Sequence, residues 1–289
     1  MSAIIFEAHG VELMRYVHEP DPQPFEAPKP YVHPLRTLAG DVVTSYRPHD
    51  HRWHKGLQLT ASHVSGQNFW GGGTYVREEQ RYIDLDNNGT MRHDTLDVRQ
   101  DGLSGRLTWR SSRGEPWVEE RRELTIEAVD PANGSWELVW HTTLTGLRDE
   151  PLRFGSPTTH GRPLAGYSGL FWRGPRSFTG GEVLGPDGLG GEEMMGQRAR
   201  WLAFQGRHDE VDRSSTLVFV PEPGPESHWF VRSVPFAAVN PSWAFHREFE
   251  LARGETIARR YRIVLATGWW GTERIEEHLA GRRAAESGP

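Results

Sequence analysis

The sequence predicts an all-β fold, an antiparallel sandwich or barrel with a short helix near the C-terminus. Apolar and polar side chains alternate with a period of two along several segments, which is typical of half-buried strands. Turn signals at 86–89, 130–134, 185–188 and 221–225 separate these segments. No helical segments alternate with the strands, as they would in a parallel α/β sheet.

The predicted elements begin with a proline-dense segment at 20–34, which holds six prolines. We expect an extended arm laid over a sheet, because proline cannot donate a hydrogen bond to a central ladder. The last element is a helix over 272–285, where Ile275 and Leu279 stand among charged residues. Between them, strands are predicted over 42–46, 56–61, 105–110, 119–128, 136–145, 199–205, 216–220, 229–233, 245–251 and 257–265.

Composition limits the class of protein. The chain has 289 residues, of which 33 are basic, 39 acidic and none cysteine. No repeat or linker divides it, so we expect a single domain over residues 1–289. The electrostatic footprint of a nucleic-acid binder is missing, and no apolar run approaches the ~20 residues of a membrane helix. Because the N-terminus also lacks the pattern of a signal peptide, the expected location is the cytoplasm.

The segment 47–56 carries the strongest functional signal. It reads RPHDHRWHKG and brings His49, His51 and His54 together with Asp50. Three functional interpretations stay open: a divalent metal held by the three histidines, general acid–base catalysis at a sugar oxygen, and binding without catalysis. In the structural alternative, Asp50 caps a turn and the histidines hydrogen-bond to the backbone.

The glycine-rich segment at 158–174 is the second candidate, since such loops often carry function. It contributes His160, Tyr167 and Arg173, and Arg173 suits an anionic substrate or an oxyanion. Tryptophans next to glycines, such as Trp70 and Trp172, suit the apolar faces of sugar rings. Filling the space between two sheets is the alternative role for these indoles.

Three segments resemble the bacterial family commonly labelled PmoA-like, a domain of unknown function. They are YVHPLRTLAG at 31–40, RPHDHRWHKGL at 47–57 and NFWGG at 68–72. Many relatives carry a histidine where this chain has Lys55, so no metal ligand is expected there. The family label comes from membrane methane monooxygenase, but without a membrane helix methane oxidation is not expected here.

The segment LARGE at 251–255, followed by a strand, is similar to aldose-epimerase-like proteins. That resemblance implies an antiparallel β-supersandwich of the galactose-mutarotase type, with a sugar bound in a cleft beside histidine and carboxylate groups. It bears on fold more than on function.

These observations lead to three functional hypotheses. The first is an enzyme performing epimerisation, elimination or glycoside cleavage on a sugar or oxidised sugar. The second is a non-catalytic carbohydrate-binding protein, and the third is a soluble metalloenzyme with a divalent metal on the histidines. The expected partner is a small-molecule carbohydrate rather than nucleic acid or a membrane, and a homodimer is left open. The predicted catalytic residues are His51, His54 and His160, and the predicted substrate-binding residues are His49, Asp50, Trp70, Tyr167, Trp172 and Arg173.

We further predict that His51 and His54 face one solvent-accessible cavity, with Trp70 or Trp172 in its wall. Trp70 follows the histidine segment after one strand and a turn, so a hairpin would bring it back toward the motif.

Overall fold

Two large antiparallel β-sheets face each other across a hydrophobic core. The computed structural model describes residues 2–221 and 228–286, except the side chain of residue 286. The strands are β1 (Ser2–Ala8), β2 (Val11–Glu19), β3 (Tyr31–Leu35), β4 (Leu57–Ala61), β5 (His63–Val64), β6 (Thr74–Val76), β7 (Arg81–Ile83), β8 (Thr90–Arg99), β9 (Gly102–Arg110), β10 (Pro116–Asp130), β11 (Ser135–Gly146), β12 (Leu152–Gly155), β13 (Ser168–Arg173), β14 (Glu182–Leu184), β15 (Leu202–Arg207), β16 (Ser214–Pro221), β17 (His228–Arg232), β18 (Ala238–Ser242), β19 (Phe249–Leu251) and β20 (Thr256–Thr267). The helix α1 covers Thr272–Glu286, and short 3-10 turns cover Pro24–Glu26, Arg176–Phe178, Pro186–Gly188 and Gly191–Met194.

The strands of the described residues form two main layers. The first sheet has the order β1-β2-β3-β4-β13-β18-β17, and the second has the order β14-β15-β16-β20-β11-β10-β9-β8. Smaller sheets, β19-β12-β5 and β6-β7, flank them. Side chains of both large sheets meet in one core, for example Leu57 and Trp172 from the first sheet and Trp140 and Phe219 from the second. The fold is therefore an antiparallel β-supersandwich, as the second resemblance implied.

The two most regular predicted strands are confirmed and lie side by side. The prediction at 136–145 corresponds to β11 and the one at 257–265 to β20, and they pair antiparallel with Trp140 opposite Tyr261. The predicted C-terminal helix is α1, whose Ile275 and Leu279 pack in a second cluster with Val218 of the eight-stranded layer. No helix within the described ranges has the length and apolar character needed to cross a membrane.

Two local predictions are wrong in detail, and a third falls mostly outside the described residues. The segment 42–46 forms no strand, because it links elements instead: Val43 N donates to Leu35 O and Ser45 N donates to Arg173 O, both at 2.9 Å. Of the strand predicted at 245–251, only Phe249–Leu251 is extended and paired. Most of the turn predicted at 221–225 lies outside the described residues.

The proline-dense arm at 20–34 also differs from the prediction at its end. Its last residues belong to β3, which lies inside the seven-stranded sheet between β2 and β4. The ladder tolerates Pro34 because the register shifts there: Tyr16 faces Val32, whereas Met14 faces Leu35. An irregularity of this kind leaves one position unpaired, and proline can occupy it without losing a ladder bond.

Strand β13 determines which side chains reach the outer face of the seven-stranded sheet. Successive side chains on a strand point to opposite faces. Leu170 and Trp172 belong to the core between the sheets, whereas Phe171 packs with Trp70 in a separate cluster. This outer cluster forms the floor of the candidate site.

Candidate functional site

The histidine segment folds into a compact loop above β13. A bridge between Tyr46 and Lys55 closes its base. Two tight turns follow inside it, in which His51 N donates to Pro48 O at 3.0 Å and His54 N donates to His51 O at 2.9 Å. These turns place His51 and His54 on the same side of the loop.

A buried ion network holds the base of this loop against the proline-dense arm. Glu26 is 1% exposed and binds Arg47 through both carboxylate oxygens. Lys55 Nζ lies 2.9 Å from Glu26 Oε2. Burial opposes ionisation of Glu26, but the hydrogen bonds from Arg47 and Lys55 outweigh it and lower the pKa of its carboxyl group. Lys55, which the resemblance placed outside any metal site, thus has a structural partner.

A second buried lysine fixes the aromatic wall of the site. Lys29 Nζ donates to Ala27 O at 2.9 Å and to Trp70 O at 2.8 Å. Burial lowers the pKa of Lys29 well below its ordinary value. Gly72 lies against Trp53 so closely that an added Cβ would come within 2.7 Å of the indole. The arm, the histidine loop and residues 70–73 are therefore packed as one unit.

The rings of His51 and His54 stack with centroids 4.7 Å apart. His54 is 3% exposed, and its Nδ1 lies 3.2 Å from Arg173 Nη1. Because a guanidinium can only donate, His54 Nδ1 must accept, so the ring is neutral and carries its proton on Nε2. Burial, with repulsion from neighbouring cations, also lowers the pKa of His54 well below its usual value.

His51 has the opposite kind of neighbour. Its Nδ1 lies 3.0 Å from Asp50 Oδ2, which is ion-pair distance. The contact lacks the geometry of a hydrogen bond, and Nδ1 has no other hydrogen-bond partner among the described residues. Burial lowers the pKa of His51, and Asp50 opposes part of that shift. An ionised carboxylate near Nδ1 favours the tautomer with the proton on that nitrogen, which leaves the lone pair on Nε2.

Both histidines line a cleft of about 560 Å³ on the outer face of the seven-stranded sheet. The volume is within the range of small-molecule sites. Ring contacts connect its walls: Trp70 is 4.4 Å from Tyr167 and 4.7 Å from Phe171, centroid to centroid. The aromatic lining consists of Trp53, Trp70, Tyr82, Tyr167, Phe171, Phe230 and Phe236. The cleft can therefore hold a small ligand against flat apolar surfaces, with two imidazoles at one side.

The structure brings together part of the predicted site. His51, His54, Trp70 and Tyr167 all line the cleft. Arg173 lies behind His54, 4% exposed, with its Cζ 3.7 Å from the centre of the Phe236 ring. Among the residues that the structure describes, its Nε has no hydrogen-bond partner. Burial lowers the pKa of Arg173 to about 10.

Three predicted residues lie elsewhere. Trp172, expected in the cavity wall, is fully buried and packs on Phe204 of the opposite sheet at 5.2 Å. The reason is the period-two alternation of β13, which directs its neighbour Phe171 to the cleft instead. His49 Nδ1 accepts from Arg176 Nη2 at 2.9 Å and is not among the lining residues.

His160 belongs to a neighbouring depression of about 450 Å³. It stacks on His63 with ring centroids 4.0 Å apart. Its Nδ1 lies 3.1 Å from Ser156 O. The structure therefore does not bring His160 to the stacked pair.

A metal site on the three histidines is not preformed. Among the described residues, no group of three or more His, Asp or Glu is placed so that it could hold a metal ion. Each of the three histidines has a different neighbour: Arg176 for His49, Asp50 for His51 and Arg173 for His54.

Sequence reasoning missed several residues of the cleft. They are Tyr82, Arg162, Phe230, Arg232 and Phe236. A usable signal existed for two of them, because Trp229 and Val231 of β17 belong to the core and the alternation then directs Phe230 and Arg232 outward. Tyr82 comes from the short hairpin β6–β7 and carried no comparable signal.

Known structures of similar shape are distant. The chain matches the GH36 alpha-galactosidase AgaA from Geobacillus stearothermophilus with a TM-score of 0.46 and 11% identity, over 93% of this chain and 41% of that one. The alpha-galactosidase from Lactobacillus brevis matches with a TM-score of 0.47 and 9% identity, over 97% and 41%. The chain thus spans about two fifths of these proteins.

Galactose 1-epimerase from Lactobacillus acidophilus NCFM matches with a TM-score of 0.41 and 7% identity, over 93% of this chain and 99% of that one. These scores and identities are too low to carry activity or ligand from one protein to the other. No curated protein sequence matches the chain.

A family model matches residues 3–280, which is nearly the whole chain. Its description does not include the PmoA-like label that the sequence motifs suggested, but it does share the statement that the function is unknown. The chain belongs to the family of unknown function DUF6807.

Proposed function

We propose that the chain is a carbohydrate-active enzyme that moves a proton at a carbon next to a carbonyl group of an oxidised sugar. The observation that carries this proposal is the pair of stacked imidazoles, whose Nδ1 atoms lie beside side chains of opposite charge. Asp50 near Nδ1 of His51 leaves the Nε2 lone pair of His51 as a base. Arg173 on Nδ1 of His54 leaves the Nε2–H of His54 as a donor. Proton abstraction next to a carbonyl requires a base for the proton and a hydrogen-bond donor for the oxygen that becomes negative.

In the proposed step, His51 Nε2 takes the proton from the carbon, and the electron pair of the broken C–H bond moves toward the carbonyl. The carbonyl oxygen becomes an enolate oxygen and is stabilised by the Nε2–H of His54. Return of a proton from solvent to the opposite face gives epimerisation, and His51 then releases its proton to solvent. In elimination, the enolate electron pair forms the new double bond to the next carbon, and the leaving group departs with the electron pair of its own bond and takes the proton from His51.

Glycoside cleavage, the third reaction considered from the sequence, is less well supported by the side chains present. That reaction usually needs two carboxyl groups on either side of the scissile bond. Within the described part of the chain, the residues that line the cleft include no Asp or Glu. We therefore propose epimerisation or elimination instead.

The aromatic lining supports a sugar as the substrate. The C–H faces of a sugar ring pack on indole and phenol rings, while the polar edge remains free for the imidazoles. Trp70 and Tyr167 are in contact with each other on one wall. Burial raises the pKa of Tyr167 well above its usual value, so its hydroxyl stays protonated and can donate to a ligand oxygen.

The test is exchange of the carbon-bound proton with solvent. A panel of keto-sugars, uronates and neutral sugars is incubated with the protein in D₂O, and deuterium incorporation is followed by NMR. His51→Gln and His54→Gln should each lower the exchange rate by about 10²–10⁴. His141→Gln, on β11 of the opposite sheet, is the matched control and should exchange at the wild-type rate. Wild-type exchange in both cleft variants, with unchanged melting temperatures, would disprove the proposal.

A non-catalytic carbohydrate-binding protein is the second candidate, and the density of aromatic side chains in the cleft favours it. The same panel distinguishes it from the first. Binding of a sugar with no exchange and no chemical change in any member of the panel would favour this candidate.

A further inference from the structure

Two arginines of the cleft have no acidic partner. Arg162 donates to the hydroxyl of Tyr82, and its Cζ lies 4.8 Å from the centre of the Tyr82 ring. Arg232 makes a long contact of 3.5 Å from Nη2 to Leu164 O, and its Cζ lies 5.7 Å from the centre of the Phe230 ring. Among the described residues, no Asp or Glu oxygen lies within ion-pair distance of either guanidinium. Both arginines line the cleft.

The two guanidinium groups come from different elements but approach the same rim. Arg232 is the last residue of β17, and Phe230, two positions earlier, lines the cleft with it. The carbonyl that Arg232 contacts belongs to Leu164, two residues after Arg162. The rim is thus supplied by β17 and by the segment between β12 and β13.

A third cation lies behind His54. Arg173 is nearly fully buried, and its Nε has no hydrogen-bond partner among the described residues. Asp50 is a carboxylate that influences it. Two arginines therefore line the cleft and a third lies behind it, whereas Asp50 is the one acidic group that the described residues place beside the histidine pair. The chain as a whole has more acidic than basic residues, 39 against 33, so composition does not explain this excess of positive charge.

Aromatic contacts preorganise this positive region. The guanidinium of Arg173 lies over the ring of Phe236, and that of Arg162 lies over Tyr82. Stacking on a ring restricts an arginine side chain but leaves its N–H groups free at the edge. A guanidinium that is already oriented loses less freedom when an oxyanion binds, and its planar fork matches carboxylate and phosphate oxygens.

We propose that the cleft takes an anionic sugar, whose carboxylate or phosphate group is bound by Arg162 and Arg232 while the ring packs on the aromatic wall. This inference rests on the proposed function, since it names the substrate class of the same site. Binding of the anion at the rim would leave the ring carbons toward His51 and His54. If the anion is a carboxylate, its neutralisation by arginine also makes the adjacent C–H easier to deprotonate.

The experiment compares matched ligands by isothermal titration calorimetry. The probes are D-glucuronate and D-galacturonate, D-glucose 6-phosphate and D-galactose 6-phosphate, with D-glucose and D-galactose as their neutral parents. At least one anion should bind about tenfold more tightly than its neutral parent, and higher salt should weaken that advantage. A preference for uronates identifies the carboxylate as the recognised group, and a preference for sugar phosphates identifies the phosphate.

Variants then locate the effect. Arg162→Gln and Arg232→Gln should each lower the affinity for the anion about tenfold while leaving the affinity for the neutral sugar unchanged, which a general structural defect would not do. The matched control is Arg81→Gln. Arg81 lies next to Tyr82 in β7, and its side chain is 69% exposed and paired with Glu79.

Equal affinities for anions and neutral parents, or equal loss for both in the arginine variants, would overturn the anionic substrate. In that case, deuterium exchange on a neutral keto-sugar that requires His51 would leave the proposed function intact. If no member of the panel binds, both the sugar site and its anionic preference are wrong.

Discussion

Replacing His63 with glutamine is expected to make the fold more resistant to acid. His63 lies in β5, is 5% exposed and stacks on His160. Burial, with a smaller repulsion from His160, lowers its pKa from 6.5 to about 3. The folded protein therefore keeps this ring neutral at pH values at which the unfolded chain binds a proton.

The sign and size of the effect follow from proton linkage. A histidine pKa that is lower in the folded state means that the unfolded chain binds more protons, so the free energy of unfolding falls as the pH drops below about 6.5. A pH of 4 is about 2.5 units below 6.5, the pKa of His63 in the unfolded chain, and each unit corresponds to about 1.4 kcal/mol. Acidification from pH 7 to pH 4 should therefore remove about 3 kcal/mol through His63. The loss ends near pH 3, where the folded ring itself titrates.

Urea unfolding at pH 7 and pH 4 measures this loss for the wild type and for His63→Gln. The wild type should lose about 3 kcal/mol more than the variant between the two pH values. Val64→Ala is the control, because Val64 is the fully buried neighbour in the same strand and its truncation removes packing without changing proton binding. It should lose as much as the wild type on acidification. If His63→Gln loses as much as the wild type, to within about 1 kcal/mol, the linkage argument is refuted.

Two further predictions concern the cleft. Asp50→Asn should lower the pKa of His51 further, because Asp50 raises it. The acidic limb of the pH–rate profile should therefore move to lower pH. An NMR titration of the His51 ring checks this, and an unchanged pKa would exclude the pairing of His51 with Asp50. Gly72→Ala should weaken ligand binding about tenfold or more, since its Cβ would meet Trp53 at 2.7 Å and displace an aromatic wall. Gly10→Ala has a similar positive φ but open space around it, so calorimetry should find its affinity unchanged; equal loss in both variants would contradict the steric explanation.

The large architecture could be predicted from the sequence because its strands are long and regularly patterned. In β11, five side chains that alternate along the strand carry the pattern, and its partner β20 repeats it. Short or irregular elements gave no such signal. The segment at 42–46 has apolar and polar residues in a strand-like order, yet its hydrogen bonds go to two different strands, β3 and β13, which only the tertiary structure determines. The bulge that admits Pro34 into β3 is of the same kind.

The site was predictable where chemistry is concentrated in sequence. His51 and His54 are close along the chain, so their cluster could be recognised, and the cavity they face lies beside Trp70 as expected. Asp50 next to His51 belongs to the same cluster, but the partner that assigns the His54 tautomer could not be recognised in this way, because Arg173 comes from a strand that pairs with β4 only in the folded sheet. His160, whose catalytic role stays a prediction, lies in a neighbouring depression, where it stacks on His63 of β5. The single domain, the cytoplasmic location and the homodimer stay predictions.

The order in which the residues of the cleft are synthesised determines when the site can first form in a growing chain. Glu26 and Lys29, near the start of the chain, hold the histidine loop and Trp70. Phe236, which lines the cleft and packs on His51 and His54, is made more than two hundred residues later. A chain still held on the ribosome before that point has one wall and both imidazoles but no cleft. Ligand in the cell can therefore bind only after most of the chain has emerged, and it cannot guide the early folding of the arm on which the site is built.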